Sequence, residues 1–335
     1  MSIATTDYVR GGKQKDRYTD SEVTAWPCPL CGATGGRLIK KERGVLGIVE
    51  CEGCSLMRVN PRLDRPDEIY RGDGSIYEAE FREVVRGKRH HRDTTYEHDL
   101  DLIAKRKPTG NFLDIGTNTG SFLRLARNRG WTLTGVEPSP QLGGFARKWW
   151  GLDIREGFIE QLDLPEHHYD VVTMTDVFEH VVNPREVLTA IKRVIKKDGV
   201  LFIKVPNGLF NIFKFKMRTL LGRPSDNDFD AYEHVCHYTD KTLARMVESA
   251  GWKPLEITVE PPVQLPIWHE LVGHYYQHES PFWLDWKTRS GRELLYRAAL
   301  AQQAIAGGVG YFAPNIGCFA TPALRAAELR DPLVP

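Results

Sequence analysis

Asn111-Phe112-Leu113-Asp114-Ile115-Gly116-Thr117-Asn118-Thr119-Gly120-Ser121-Phe122-Leu123 reads as a strand, a glycine turn and the first turn of a helix. Phe112, Leu113 and Ile115 form a short apolar run without strict alternation, the pattern of a strand covered on both faces. Gly116 and Gly120 bracket five residues in which the backbone must reverse tightly. From Ser121 to Asn128, Phe122, Leu123, Leu125 and Ala126 give a helical apolar face, and Gly130 stops it.

The same alternation continues along the chain. Trp131–Glu137 reads as a strand, Ser139–Trp150 as a helix and Leu152–Arg155 as a brief strand. Tyr169–Met174 is a further strand. Asn183-Pro184 is expected to cap a helix, with proline at the first helical position, where its missing N–H costs nothing. Val187, Leu188, Ile191, Val194 and Ile195 form that helix's apolar face. Asp198-Gly199 is expected to turn into the strand Val200–Val205. Thr239 caps a helix ending at Gly251, Leu255–Val259 is a strand, and Asn315–Thr321 is the last one. Strands alternating with helices predict an α/β fold: a parallel sheet with helices on both faces. Such sheets bind ligands beyond the carboxyl ends of their strands, which places the glycine turn at the site.

Glu137 ends the second of these strands, about twenty residues after the turn, where a carboxylate can accept both hydroxyls of a ribose. A dinucleotide is the natural rival ligand. Its G-x-G-x-x-G fingerprint lets a pyrophosphate approach the helix N-terminus closely. Here Asn118 and Ser121 stand where the second and third glycines would be, and Asp114 would repel phosphates. An ammonium-bearing ligand suits that acid better.

Taken as a set, four segments resemble the class I S-adenosylmethionine-dependent methyltransferases in order and spacing. They are Leu113–Leu123, Gly135-Val136-Glu137-Pro138-Ser139, Tyr169–Val181 and Gly199–Asn207, and the resemblance spans about residues 111–259. It implies a Rossmann-like sheet and S-adenosylmethionine as cofactor. Gly116 and Gly120 would lie under its methionine part with Asp114 nearby, and Glu137-Pro138 would meet the ribose. Phe158-Ile159 would stand by the adenine, and Thr175 and Asp176 would line the pocket. The family usually has glycine where this chain has Asn118, a departure within the cofactor loop.

Cys28-Pro29-Leu30-Cys31 and Cys51-Glu52-Gly53-Cys54 give the spacing C-x2-C-x19-C-x2-C. Two such turns can set four thiolates at the corners of a tetrahedron, the geometry of a closed, structural Zn²⁺ site. Disulfides or free thiols are the alternatives. The N-terminus, Met1-Ser2-Ile3-Ala4-Thr5-Thr6-Asp7, lacks a signal-peptide pattern, which predicts a cytoplasmic, reducing setting that disfavours disulfides. The segment resembles the zinc-ribbon head found on a subset of these methyltransferases, whose members often modify sugars or other biosynthetic intermediates. Some are sugar C-methyltransferases with a large further domain. The residues after 322 are too few for it, so this reading leans to O-methylation and keeps C-methylation open. The expected organisation is a loose arm at 1–25, a zinc ribbon at 26–62, a mostly helical connector at 63–110, with Glu97–Lys107 as one helical stretch, and the cofactor-binding domain at 111–335. An aromatic-rich insertion at 260–315 holds Trp268, His269, His274, Tyr275, Tyr276, His278, Phe282 and Trp283, with a helix expected from Arg292 to Ala306. It is read as a cover for the site or a contact in a homo-oligomer. Cys236 and Cys318 are expected to be buried small hydrophobes.

Methyl transfer to a hydroxyl is helped by a general base, most often histidine. His180, in a Glu-His pair that resembles the family's small-molecule enzymes, and His234 and His237 are the candidates; each is equally readable as a packed, hydrogen-bonded residue. Lys214, Lys216, Arg218 and Arg223 read first as a solvated helix face and second as a grip on the diphosphate of an activated sugar. The run Arg86-Gly87-Lys88-Arg89-His90-His91-Arg92 reads as an exposed connector helix. Lys plus Arg number 45 against 44 for Asp plus Glu, so the chain lacks the strong positive field of a dedicated nucleic-acid binder. No apolar stretch is long enough to span a bilayer. A small-molecule partner is therefore expected. An RNA or protein methyltransferase that docks through the ribbon, and a binding protein without catalysis, are the other classes.

Overall fold

The computed structural model describes residues 17–64, 85, 92–223, 225–261 and 282–323, with side chains in the last segment from 293. Five short strands come first: β1 (Val23–Thr24), β2 (Arg37–Glu42), β3 (Leu46–Glu50), β4 (Met57–Val59) and β5 (Arg62–Leu63). The first pairs with the fifth, so residues 17–25 take a place in the fold instead of forming a loose arm. Tyr18 fixes them, buried and stacked on Tyr232.

After helix α1 (Asp93–Ala104) the strand–helix alternation begins. It runs β6 (Gly110–Ile115), α2 (Ser121–Ala126), β7 (Trp131–Glu137), α3 (Pro140–Trp150), β8 (Asp153–Glu156), β9 (Tyr169–Thr175), α4 (Pro184–Val194) and β10 (Ile195–Pro206). Then follow α5 (Gly208–Leu220), the two-residue β11 (Cys236–His237), α6 (Asp240–Ser249), β12 (Trp252–Glu260), α7 (Phe282–Ala306) and β13 (Asn315–Pro322). Seven strands form the main sheet in the order β12-β13-β10-β9-β6-β7-β8.

Alternate residues along the strands feed two cores. Leu113, Ile115, Val172, Met174, Leu201 and Ile203 face α4 and α6. Phe112, Val171, Val200 and Phe202 face α1, α2 and α3. Period two is what a sheet covered on both sides requires. Among the described residues no helix is long and apolar enough to cross a membrane.

The all-parallel expectation needs correcting. β13 runs antiparallel between β10 and β12. Ile316, Cys318 and Ala320 enter one core and Phe319 the other, so the strand needs cover on both faces and sits inside the sheet. Four local readings also shift. The connector helix lies at 93–104, ahead of the expected Glu97–Lys107. Asn183 stands at the N-cap of α4 but its side chain makes no capping bond. The Asp198-Gly199 turn is absorbed as an irregularity within β10, between Ile195 and Val200. The last helix starts at 282, ten residues before the expected Arg292. Trp268 to His278, and the side chains of Phe282 and Trp283, lie outside the described residues.

The cysteine-bearing strands do not stand apart. β2, β3 and β4 form a sheet whose fourth strand is β11, from far along the chain. Cys28, Leu30, Cys51, Cys54 and Leu56 share one core with the main sheet. Leu46, Ile48 and Val59 pack with Phe229, Ala231 and Tyr232.

Candidate active site

β6 ends at Ile115, and the turn follows at the carboxyl edge of the sheet. Gly116 has φ 75° and Gly120 φ 81°, both in the left-handed region that favours glycine. A Cβ on Gly116 would meet Val177 Cγ2 at 2.4 Å, so this glycine is required by the neighbouring strand end. Asn118 has φ 54°. Asparagine tolerates this region better than most residues, which is why it can stand where the family has glycine. Its amide N–H donates to Glu137 Oε2 at 2.7 Å, and Ser139 N–H donates to Oε1 at 2.9 Å. Glu137 is thereby fixed in one pose by the turn of β6 and the start of α3.

Asp114 is buried on the α1 side of β6, where Thr173 donates to its Oδ1 at 2.7 Å. Burial pushes its carboxyl up to about 7, and Glu137 nearby adds to the shift. Burial likewise raises Glu137 to about 7 against the pull of the two amides. Neither carboxylate is ion-paired among the described residues. Two desolvated acids without a basic partner form a donor set that welcomes a cation and hydroxyl groups and repels phosphate. Phe158 is half-buried just before a short 3₁₀ turn, whereas Ile159 belongs to the core. Pro138 is half-buried between Glu137 and Ser139.

Asp176, also left-handed at φ 55°, follows β9, and its carboxylate is paired with Arg92 at the start of α1. Thr175 is half-buried beside it. Sequence reasoning placed Arg92 in an exposed basic run. Its pairing is tertiary, and the unpaired-looking acid at the end of β9 was the available signal. Residues 86–91 lie outside the described residues.

Just after Asp176 come Glu179 and His180, in a short 3₁₀ turn. The structure brings His234 to them from 54 residues beyond His180 in the chain. The His180 and His234 rings lie 4.8 Å apart, edge to face. Glu179 Oε1 is 3.8 Å from His180 Nε2 and 4.0 Å from His234 Nε2. His180 Nδ1 is 3.0 Å from the Glu233 carbonyl. Burial raises the Glu179 carboxyl to about 8. His237 stands behind, its ring 6.2 Å from that of His234 and buried against Phe229. Burial, with the charges of His234 and Lys214, holds it well below the usual histidine range, so it stays neutral. Its Nε2 has no hydrogen-bond partner.

The basic residues of α5 and Arg223 just after it do not act as one group. Arg218 pairs with Asp228 at 2.6 Å, Lys214 is half-buried, and Lys216 and Arg223 are exposed. Cys236 and Cys318 are fully buried, in β11 and β13.

The loop that carries His234 is held from the cysteine-bearing sheet. Glu42, fully buried at the end of β2, accepts the backbone N–H groups of Asp228, Phe229 and Ala231 at 2.7, 2.9 and 3.0 Å. Val59 N–H donates to the Val235 carbonyl at 2.9 Å, and β11 pairs with β4.

Cys28, Cys31, Cys51 and Cys54 converge, with all four sulfurs within 4.8 Å of one another. Cys28 and Cys54 are 3.5 Å apart, as are Cys31 and Cys51, and none is in a disulfide. A tetrahedral zinc site with 2.3 Å bonds asks for sulfur separations of about 3.8 Å. The two 3.5 Å separations lie close to that value, and four converging thiols suit a zinc ion. Burial opposes ionisation of Cys51, but the amides of Gly53 and Cys54 and the neighbouring thiols outweigh it and bring it to about 7.

Comparison with known proteins agrees with this geometry. A family described as "Methyltransferase domain" matches residues 89–257, half of the chain. The C-methyltransferase NovU of Streptomyces niveus is 25% identical over 222 residues, which cover 63% of this chain and 47% of that protein. The ubiquinone/menaquinone biosynthesis C-methyltransferase UbiE of Shewanella pealeana is 26% identical over 112 residues, 30% of this chain and 45% of that one. The chain thus spans about half the length of these curated relatives. A solved chain from a complex of the Haloferax volcanii Trm112 methyltransferase activator with a methyltransferase superposes with a TM-score of 0.50. It is 16% identical and covers 75% of this chain and 98% of its own, a likeness of fold alone. Rossmann-like sheet, glycine turn and family match lead to one statement: the chain belongs to the methyltransferase-domain family, on the fold of the class I S-adenosylmethionine-dependent enzymes.

Proposed function

We propose that this protein transfers a methyl group from S-adenosylmethionine to a small-molecule acceptor, with Zn²⁺ held structurally by Cys28, Cys31, Cys51 and Cys54. The observation that carries the donor half is the pair of buried, cation-free carboxylates, Asp114 and Glu137, at the ends of adjacent strands. Bound there, the cofactor would supply an electrophilic methyl on a sulfonium. Glu137 would accept the ribose hydroxyls, Asp114 would compensate the ammonium, and Phe158 would flank the adenine. Thr175 and Asp176 would close the pocket from the end of β9.

These acids give the donor site a pH signature. Both carboxyls titrate near 7 in the free protein, and a cationic, hydroxyl-bearing ligand favours their ionised forms. Affinity for S-adenosylhomocysteine is therefore expected to fall as pH drops from 7.5 to 5.5, with protons released on binding. The sign for stability is opposite. Folded values raised above the unfolded ones give the free protein most stability below about 4, lost as pH rises through 7. Titration calorimetry at pH 6 in buffers of different ionisation enthalpy measures the protons. Zero release would remove both acids from the donor site.

For the acceptor, the cluster of His180, His234 and His237 supports a hydroxyl whose proton is taken by an imidazole, on a sugar or a natural-product intermediate. The partial exposure of His180 and His234 supports that role for either of them. His237 is enclosed and serves better as their support. Alanine at His180 or His234 is expected to lower kcat at least 100-fold with cofactor affinity unchanged. Unchanged turnover in both variants would sink the base assignment. A second reading, methylation of a carbon next to a carbonyl, is favoured by the names of NovU and UbiE. The same bases would serve it. Assaying hydroxyl acceptors against ketone acceptors, and locating the new methyl by nuclear magnetic resonance, separates the two.

A further inference from the structure

We propose that Glu179, His180 and His234 form a binding site for one divalent transition-metal ion, distinct from the cysteine cluster. Each residue offers one ligand atom, and the three lie within 4.8 Å of one another. Two imidazoles and a carboxylate on one side of an ion leave its remaining positions open, the pattern that suits Fe²⁺, Mn²⁺, Co²⁺ or Zn²⁺ in reactive sites.

Three further observations point the same way. Glu179 is buried, yet among the described residues its Oε2 has no hydrogen-bond partner. A buried carboxylate oxygen without a donor costs free energy that a bound cation recovers. The Nδ1 of His180 lies 3.0 Å from the Glu233 carbonyl. An N–H donated to a backbone carbonyl is the standard outer support of a metal-binding imidazole, and it presents Nε2 to the ion. Finally, the local charge calls for a cation. The negative charges of Glu233 and Asp230 act on Glu179, and Arg92, which acts on it in the opposite sense, is paired with Asp176.

Metal–ligand bonds of about 2.1 Å require ligand separations of about 3 to 3.4 Å. The present 3.8 and 4.0 Å separations from Glu179 must therefore close by up to about an ångström, and the two imidazoles, now within 4.8 Å, must close with them. The two rings are partly exposed and can swing that far, with the buried Glu179 as the fixed point. With the ion in place both imidazoles are ligands and no longer bases. An acceptor hydroxyl held by the ion would then be more acidic and would release its proton to solvent water. Acceptors that chelate, such as a vicinal diol or an α-hydroxy ketone, fit the open positions. The site itself does not depend on the methyl-transfer reading, and its test uses no turnover.

The test is a Co²⁺ titration of the metal-free, full-length protein. Thiolate-bound cobalt gives an intense near-ultraviolet charge-transfer band, and a His₂Glu site gives only weak visible bands. The expected result is two equivalents of Co²⁺ per chain, one in each spectral class. In Glu179→Gln and in His234→Asn the second is lost or weakened at least tenfold, while the thiolate band is unchanged and reports that the fold is intact. One equivalent per chain at saturation, all of it thiolate-bound, would overturn the proposal. So would a second equivalent that survives in both variants.

Discussion

Gly116→Ala is expected to lower affinity for S-adenosylhomocysteine at least 30-fold and to reduce the melting temperature by several degrees. Two costs add. An alanine at φ 75° pays about 1–2 kcal/mol for the left-handed backbone. Its Cβ also lands 2.4 Å from Val177 Cγ2, and overpacking of this kind costs about 1–3 kcal/mol. At about 1.4 kcal/mol per factor of ten, a 30-fold loss is about 2 kcal/mol, the lower end of that sum. Val177 lies between Asp176 and Glu179, so relief of the clash moves both the donor turn and the segment leading to the histidines. Val177→Ala in the same chain removes the clash but not the backbone cost, and should restore about half of the loss. Calorimetry with S-adenosylhomocysteine and a thermal melt on both variants decide it. Wild-type affinity and stability in Gly116→Ala would mean that the turn is not the donor site.

Glu42→Ala is expected to abolish turnover while leaving cofactor affinity within about threefold. Glu42 is far from the glycine turn in the chain and stands in the cysteine-bearing sheet. Its carboxylate serves three buried N–H groups of the loop that carries His234. Hydrogen bonds to a charged acceptor contribute about 1.5–3 kcal/mol each, and the orphaned donors bear a desolvation cost as well. A loss of about 3 kcal/mol or more falls on that loop. Glu42→Gln keeps one oxygen acceptor and should sit between. Removing zinc with a chelator, or Cys54→Ser, should give the same split, because β4 pairs with β11 and Arg245 donates to the Cys54 carbonyl at 3.0 Å. The measurement is turnover set against S-adenosylhomocysteine binding. If both fell together, the ribbon would be a support for the whole fold; if neither fell, the loop would not need it.

This split gives the cysteine cluster a place in the chemistry without a ligand position of its own. A closed Cys₄ site has no open coordination for a substrate. Its strands end, however, in the hydrogen bonds that fix Val235, Cys236 and His237. On the proposed function, the cysteine-bearing sheet would form part of the wall of the acceptor site, and the glycine turn would not.

The sequence by itself determined what local rules govern. Strand and helix succession follows from periodicity that burial imposes on every residue. The turn at Gly116 follows from its need for positive φ, and the cysteine pairs from the short loops that close a tetrahedron. Glu137 was legible because its distance from the turn is fixed by one strand–helix–strand unit. Tertiary structure alone decided the rest. The direction of β13 depends on how α7 returns the chain, and an apolar strand reads the same either way. Arg92 looked like one of a run of exposed cations until Asp176 was brought beside it. Glu42 looked like a charged strand end until the loop 228–231 placed three amides around it. The histidines were visible as residues, but only packing separates His237, enclosed and neutral, from the His180 and His234 pair that meets Glu179. Local pattern is written in neighbours along the chain. A polar side chain's role is written in the partners that folding brings to it, and those have no spacing to read.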